Sequence, residues 1–190
     1  MEDTDYKLLA RYKAGQTEAL ESLVEKYRRQ LFGYIINMRG YGADADEIFQ
    51  EVWFRVIKKI HTYKHKNFLG WLMRIAHNIV IDKARHKKHD VSLDQERENQ
   101  KSLADVMPGG EQDPAELLQA DTLGQKISEA VAELPAEQKE VFLMRVKSDL
   151  SFKEIAGIQK VSINTALARM QYALAKLRED LKEDYKELNR

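Results

Sequence analysis

Residues 151–180 read SFKEIAGIQKVSINTALARMQYALAKLRED, and they spell two helices of unequal length joined by a sharp turn. Ser151, with Glu154 three residues on, is a capping box, in which each side chain satisfies a backbone N–H of the other's turn. It opens a short helix, Phe152–Gln159. Lys160 to Ile163 turn the chain, and Ser162 caps a longer helix whose inward stripe is read as Ala166, Met170, Ala173, Leu174, Leu177 and Leu181. Short helix, tight turn and long helix make a helix-turn-helix. The first turn of the long helix presents Asn164, Thr165 and free backbone N–H groups, which suit phosphate. Asn164 can also bond base edges, and Arg169 is the cation of the outward face. The bland alternative is an αα-hairpin that merely packs.

Upstream, Pro135 suits the first turn of a helix carrying Val141, Phe142, Met144 and Arg145. Before it, Leu117, Leu118, Ile127, Val131 and Leu134 line another helical stretch. Residues 115–190 therefore read as one helical domain. Residues 90–114 break the periodicity with Pro108-Gly109-Gly110 and Asp113-Pro114, and read as an acidic linker. Fully extended, it could stretch to roughly 80 Å at ~3.3 Å per residue.

Residues 1–89 form a second helical pattern. A short helix near residues 4–14 ends at Gly15. Leu20, Leu23, Val24, Tyr27, Leu31, Tyr34, Ile35 and Met38 follow helical spacing until Gly40 and Gly42. Asp44, with Glu47 three residues later, is expected to cap a third helix with the stripe Ile48, Val52, Val56 and Ile60. A polar turn, His61 to Asn67, leads to a fourth helix, capped by Asn67, with the apolar face Phe68, Trp71, Leu72, Ile75 and Ile79. The expected fold class is all-α: two small helical domains joined by an acidic linker.

Composition agrees. Of 190 residues, 9 are Gly and 3 are Pro, too few for the turns of an all-β chain. The absence of Cys excludes disulfides and thiolate metal sites, and fits a reducing cytoplasm. No apolar run approaches the ~18 residues of a membrane span, and the acidic Met1-Glu2-Asp3-Thr4-Asp5 start is unlike a signal peptide. A cytoplasmic protein without membrane insertion is the expectation. The formal net charge of +0 hides segregation: residues 55–89 are net +9, and residues 90–134 are net −8. A basic block of that density suits a polyanion. Aromatic residues interleave it (His61, Tyr63, His65, Phe68 and Trp71 before Lys83, Arg85, Lys87 and Lys88), a mixture suited to unstacked bases. The alternative for Phe68 and Trp71 is plain core packing. Asp44 to Glu51 opens a helix with four acids, either as dipole complements or as a docking patch for a basic partner.

Enzymatic readings fare poorly. His61 and His65 lie four apart and His86 and His89 three apart, spacings that can ligate metal. However, the first pair falls in a turn, and the second sits among cations that would repel a metal. No phosphate loop or nucleophile motif occurs. No metal site and no cofactor are expected.

Four segments carry a family resemblance. Asp44-Ala45-Asp46-Glu47-Ile48-Phe49-Gln50-Glu51-Val52-Trp53 resembles region 2.2 of extracytoplasmic function (ECF) sigma factors, a branch of the sigma-70-type factors. Phe68-Leu69-Gly70-Trp71-Leu72-Met73-Arg74-Ile75-Ala76-His77-Asn78, with Asp82 and Arg85, is similar to their region 2.3–2.4. Leu134 to Leu143 resembles region 4.1, and Leu150 to Ala156 the start of the region 4.2 helix-turn-helix. The resemblance implies an RNA polymerase sigma factor that directs promoter recognition, melting and transcription initiation. Helix 44–57 would dock on the clamp helices of the β′ subunit through Asp46, Glu47, Gln50 and Glu51. The turn containing His61, Tyr63 and Lys64, with Phe68 and Trp71, would receive a flipped base of the −10 element. Asn78 would contact that element, with Arg74, Lys83 and Arg85 on the DNA backbone. Residues 115–190 would sit on the β flap and place Ser162, Asn164, Thr165, Leu167, Ala168, Arg169, Gln171 and Tyr172 at the −35 major groove. An anti-sigma protein is the expected restraint. The chain departs from the family where Leu167, Gln171 and Tyr172 occupy positions that are often basic. The rival reading is a stand-alone helix-turn-helix regulator, which leaves the basic segment and acidic linker without a role.

Overall fold

The computed structural model describes residues 4–40, 42–64, 67–90, 124–182 and 184. The linker expectation for residues 91–114, and those for His65, Leu117 and Leu118, lie outside these. Within them the chain is helical: α1 (Asp5–Lys13), α2 (Glu18–Arg39), α3 (Ala43–Lys59), a 3-10 turn (Ile60–Thr62) and α4 (Phe68–Asp90). The second domain holds α5 (124–132), α6 (Ala136–Val146), α7 (Phe152–Gln159) and α8 (Ile163–Asp180).

Helix α2 is the axis of the first domain. Its predicted stripe is buried at Leu23, Tyr27, Leu31, Tyr34 and Ile35, and half-buried at Leu20, Val24 and Met38. Ile48, Val52 and Val56 of α3, Ile60 of the 3-10 turn, and Phe68, Leu72 and Ile79 of α4 close the same core. The Tyr27, Tyr63, Trp53 and Trp71 rings surround Phe68, with centroids 5.5, 5.5, 6.5 and 5.7 Å away. Such tilted and edge-on aromatic packing adds to the burial of apolar area. Asn67 caps α4 as expected, its Oδ1 accepting from the Gly70 N–H at 3.0 Å.

Helix α3 starts differently from expectation. It begins at Ala43 after Gly42, without a side-chain cap. The α2–α3 turn runs through Gly40 at φ 84° and Gly42 at φ 129°, backbone that side chains with a Cβ avoid. With Gly42 as the last non-helical residue, Asp44 falls inside the first turn and pairs with Arg39 at 3.6 Å instead of capping.

In the second domain, α8 packs across α6 and α7. Both sequence-read caps of the helix-turn-helix form. Ser151 and Glu154 make a full capping box, and the Thr165 N–H donates to Ser162 Oγ at 3.0 Å. Lys160 turns the chain in the left-handed conformation, φ 56° and ψ 44°. Pro135 is the N-cap residue rather than the first helical one. Two stripe assignments need correction: Leu174 is 43% exposed and Ile127 38%. Ala166, Ala173 and Leu177 form the buried line of α8. Leu174, about 100° around the helix from Ala173, projects past the two helices that cover it.

The domains also touch, with α4 against α7 and α2 against α6. Nothing in the sequence announced that contact.

Candidate nucleic-acid interface

On α3, the core stripe faces inward and leaves Asp46, Glu47 and Gln50 exposed, with Glu51 half-buried and bonded to Arg55. One and two turns further, Phe54 is 56% exposed and Ile57 39%. Gln50, Phe54 and Ile57 fall on one strip of the helix by their spacing of four and three. Sequence reading missed the two apolar members because they fall outside the predicted core stripe. Their signal was the second apolar line, offset from Ile48–Val52–Val56. Lys58 Nζ lies 4.1 Å from the Phe54 ring centroid, a cation–π contact.

The described cations of α4 stay out of the core. Arg74 and Arg85 are exposed, and Asn78 is half-buried. Lys83 is half-buried and reaches back to α3, its Nζ 2.8 Å from Glu47 Oε1. The acidic strip of α3 and the basic strip of α4 therefore abut. His61 and Lys64 are exposed, with the His61 ring 6.1 Å from that of Tyr12.

Two of the aromatic assignments do not survive. Phe68 has no exposed surface and Tyr63 is 9% exposed. Burial, then the charge of Asp5, pushes the Tyr63 hydroxyl up to about 12. These rings are walls of the core, and neither presents a face for a base to stack on. Trp71 is intermediate: one side packs on Tyr63, centroids 4.8 Å apart, and the other lines a cleft of about 510 Å³ between α4 and α7. Asn67, Gly70, Arg74, Lys153 and Glu154 line the same cleft.

On α8, Asn164, Leu167, Gln171 and Tyr172 are exposed, with Tyr172 at 66%. Ser162 and Thr165 are exposed but bonded to each other through their hydroxyls at 2.8 Å. Ala168 is half-buried. Arg169 is half-buried too, and its Nη1 donates to Gln159 Oε1 at 2.8 Å. The cation expected to face outward is thus held by its own domain. The outward face is more apolar than the sequence suggested, since Ile163, Leu167 and Leu174 join Tyr172 on it.

The sequence model of Sigma-70 region 2 matches residues 23–89, and that of Sigma-70, region 4, residues 124–177. The chain is 27% identical over 181 residues to the ECF RNA polymerase sigma factor SigW of Bacillus subtilis (strain 168), spanning 93% of this chain and 96% of that one. It is 28% identical over 176 residues to the RNA polymerase sigma factor CarQ of Myxococcus xanthus, spanning 92% and 96%. The chain belongs to the ECF branch of the sigma-70 family. The sigma factor RpoE of Bartonella quintana, solved in complex with the anti-sigma factor NepR, shares its fold at a TM-score of 0.66 and 20% identity, over 85% of this chain and 96% of that one.

As an ECF factor the chain is an RNA polymerase sigma factor, a DNA-binding subunit for transcription initiation. Helices α2 to α4 carry its region 2 and α5 to α8 its region 4. The acidic strip of α3, the cationic strip of α4 and the outward face of α8 all lie within the matched segments. Among the described residues, no helix is long and apolar enough to cross a membrane.

Proposed function

We propose that residues 1–89 grip core RNA polymerase and open the −10 element, that residues 115–190 read the −35 element, and that residues 90–114 are the strap between them. Asp46, Glu47, Gln50 and Glu51 dock on the β′ clamp helices, together with Phe54 and Ile57, whose exposed side chains give the contact an apolar centre inside a charged rim. Arg74, Lys83 and Arg85 hold the DNA backbone, and His61 and Lys64 meet the DNA from the turn before α4. Asn78 and the free side of Trp71 meet the −10 bases. Asn164, Leu167, Gln171 and Tyr172 enter the −35 groove, where Leu167 suits a thymine methyl. The chain works in the cytoplasm by binding alone, without catalysis, and an anti-sigma protein restrains it, as NepR partners the Bartonella factor.

The observation that carries this reading is the pair Phe54 and Ile57, apolar side chains left bare beside Gln50 and the acids of α3 although the helix has a complete core stripe of its own. Purified chain and core polymerase, mixed with promoter fragments in run-off transcription, test it. The expected result is promoter-dependent transcript from the parent chain. Gln50→Ala with Glu51→Ala should weaken core binding about tenfold or more with unchanged circular dichroism. Equal affinity of parent and variant for core polymerase would refute the docking assignment.

A further inference from the structure

Between Val161 and Ala175, the turn and most of α8, the sequence holds one cation, Arg169, and no carboxylate. Successive side chains turn by about 100° around a helix, so Asn164 and Gln171 stand within about 20° of each other, with Ala168 between them. Both amides are exposed, and Ala168 adds no bulk that would hold the helix off a surface. Leu167, 37% exposed, lies about 40–60° to one side of this strip, and Tyr172, 66% exposed, about 80–100° to the other. The buried line of Ala166, Ala173 and Leu177 occupies the opposite side. From Asn164 to Gln171 the strip is about 10 Å long at 1.5 Å per residue, the rise of about three base pairs.

Arg169 is not part of the strip. It lies about 140–160° around the helix from Gln171 and Asn164, and its Nη1 donates to Gln159 Oε1 at 2.8 Å. Gln159 is itself held, its Nε2 donating to Glu140 Oε2 at 2.7 Å and to the Glu137 carbonyl at 3.2 Å. These bonds lie within the second domain and fix the guanidinium on the flank of α8. What the strip can read is then limited by its chemistry. Guanine calls for Arg or Lys at O6 and N7, and cytosine for a carboxylate at its N4 amine; residues 164–171 offer no such group on the strip. An amide both donates and accepts, which matches adenine N6 and N7. Leu167 offers apolar surface alone, which suits the thymine methyl.

We propose that α8 is a reader of A·T pairs: Asn164 and Gln171 each bond an adenine edge, Leu167 packs on a thymine methyl between them, and the base pairs beneath the strip are recognised without guanine. This rests on the −35 assignment above and adds the class of sequence read and the residues that set it. Tyr172, on the flank, suits a phosphate through its hydroxyl.

The test uses the full chain loaded on core polymerase. Run-off transcription from templates with random upstream DNA, followed by sequencing of the templates used, gives the upstream element. It should contain a run of about three A·T pairs, the length of the strip. Leu167→Arg should move the preference at one pair of that run from A·T to G·C by about tenfold or more, as a bidentate guanine contact does. On the selected promoter, replacing one thymine at a time by deoxyuridine removes the methyl alone. In the parent chain one such replacement should lower transcription about fourfold, the effect of exposing one buried methyl, and in Leu167→Ala the same replacement should change nothing. A G·C pair fixed within the run, deoxyuridine tolerated at every position by the parent, or an equal loss in Leu167→Ala would overturn the A·T reading and leave the −35 assignment standing. Transcribed templates that share a −10 element but no upstream element would overturn the −35 assignment and this reading with it. The deoxyuridine series on the parent chain needs no variant, so it decides even if a substitution disturbs folding.

Discussion

A carboxylate that loses its water must find donors, and Glu140 finds three. Burial alone would push its carboxyl up. The hydrogen bond and charge of His77 and the bonds from Tyr34 and Gln159 together outweigh burial and leave it below the ordinary 4.5. The Tyr34 hydroxyl is pushed well above its ordinary value by burial, then by the charge and hydrogen bond of Glu140, so it remains a donor. A carboxyl whose folded value is depressed contributes stability above its unfolded value, and that contribution disappears as pH falls through the folded one. The stability gap between the parent and Glu140→Gln, measured by denaturant titration, should therefore be full at neutral pH and narrow only below about pH 4.5. A gap that widened on acidification would contradict the charged state of Glu140. The same scale explains why Phe68 misled: an aromatic beside cations in sequence is indistinguishable from a core ring until its neighbours are known, and four other rings surround this one.

At the scale of elements, the helix-turn-helix is specified locally. Ser151, Glu154 and Ser162 cap helices through bonds that span three residues, which is why their roles were readable directly. Ser162→Ala should cost about 1 kcal/mol by removing the acceptor for the Thr165 N–H. Lys160→Gly should gain up to about 1 kcal/mol, because the left-handed backbone crowds a Cβ against the next carbonyl. Thermal melts of the two variants should shift in opposite directions; a shared sign would mean that the turn is not set by its own residues. The start of α3 was misassigned for a reason at this scale too. Asp44–Glu47 has the spacing of a capping box, but Gly42 had already begun the helix, and spacing alone does not say which residue is the last to leave the loop.

For the molecule as a whole, the two matched regions pack on each other through α4–α7 and α2–α6, and their buried residues form one continuous cluster. Calorimetry of the parent should show a single cooperative transition, since α4–α7 and α2–α6 contacts couple the domains. Glu140→Gln should split it into two, one for each domain. Two resolved transitions already present in the parent would show that the domains do not stabilise each other.

The all-helical class, the stripes of α2 and α3, the caps of α4, α7 and α8, and the split of charge between residues 55–89 and 90–134 were determined by the chain itself, because each depends on residues a few positions apart. The tertiary structure decided the rest. It placed Phe68 and Tyr63 in the core, left Phe54 and Ile57 bare on α3, paired Glu47 with Lys83, and brought Glu140 to Tyr34, 106 positions away along the chain. Periodicity records which face of a helix is apolar, whereas burial and long-range pairing depend on which other helices arrive to cover it.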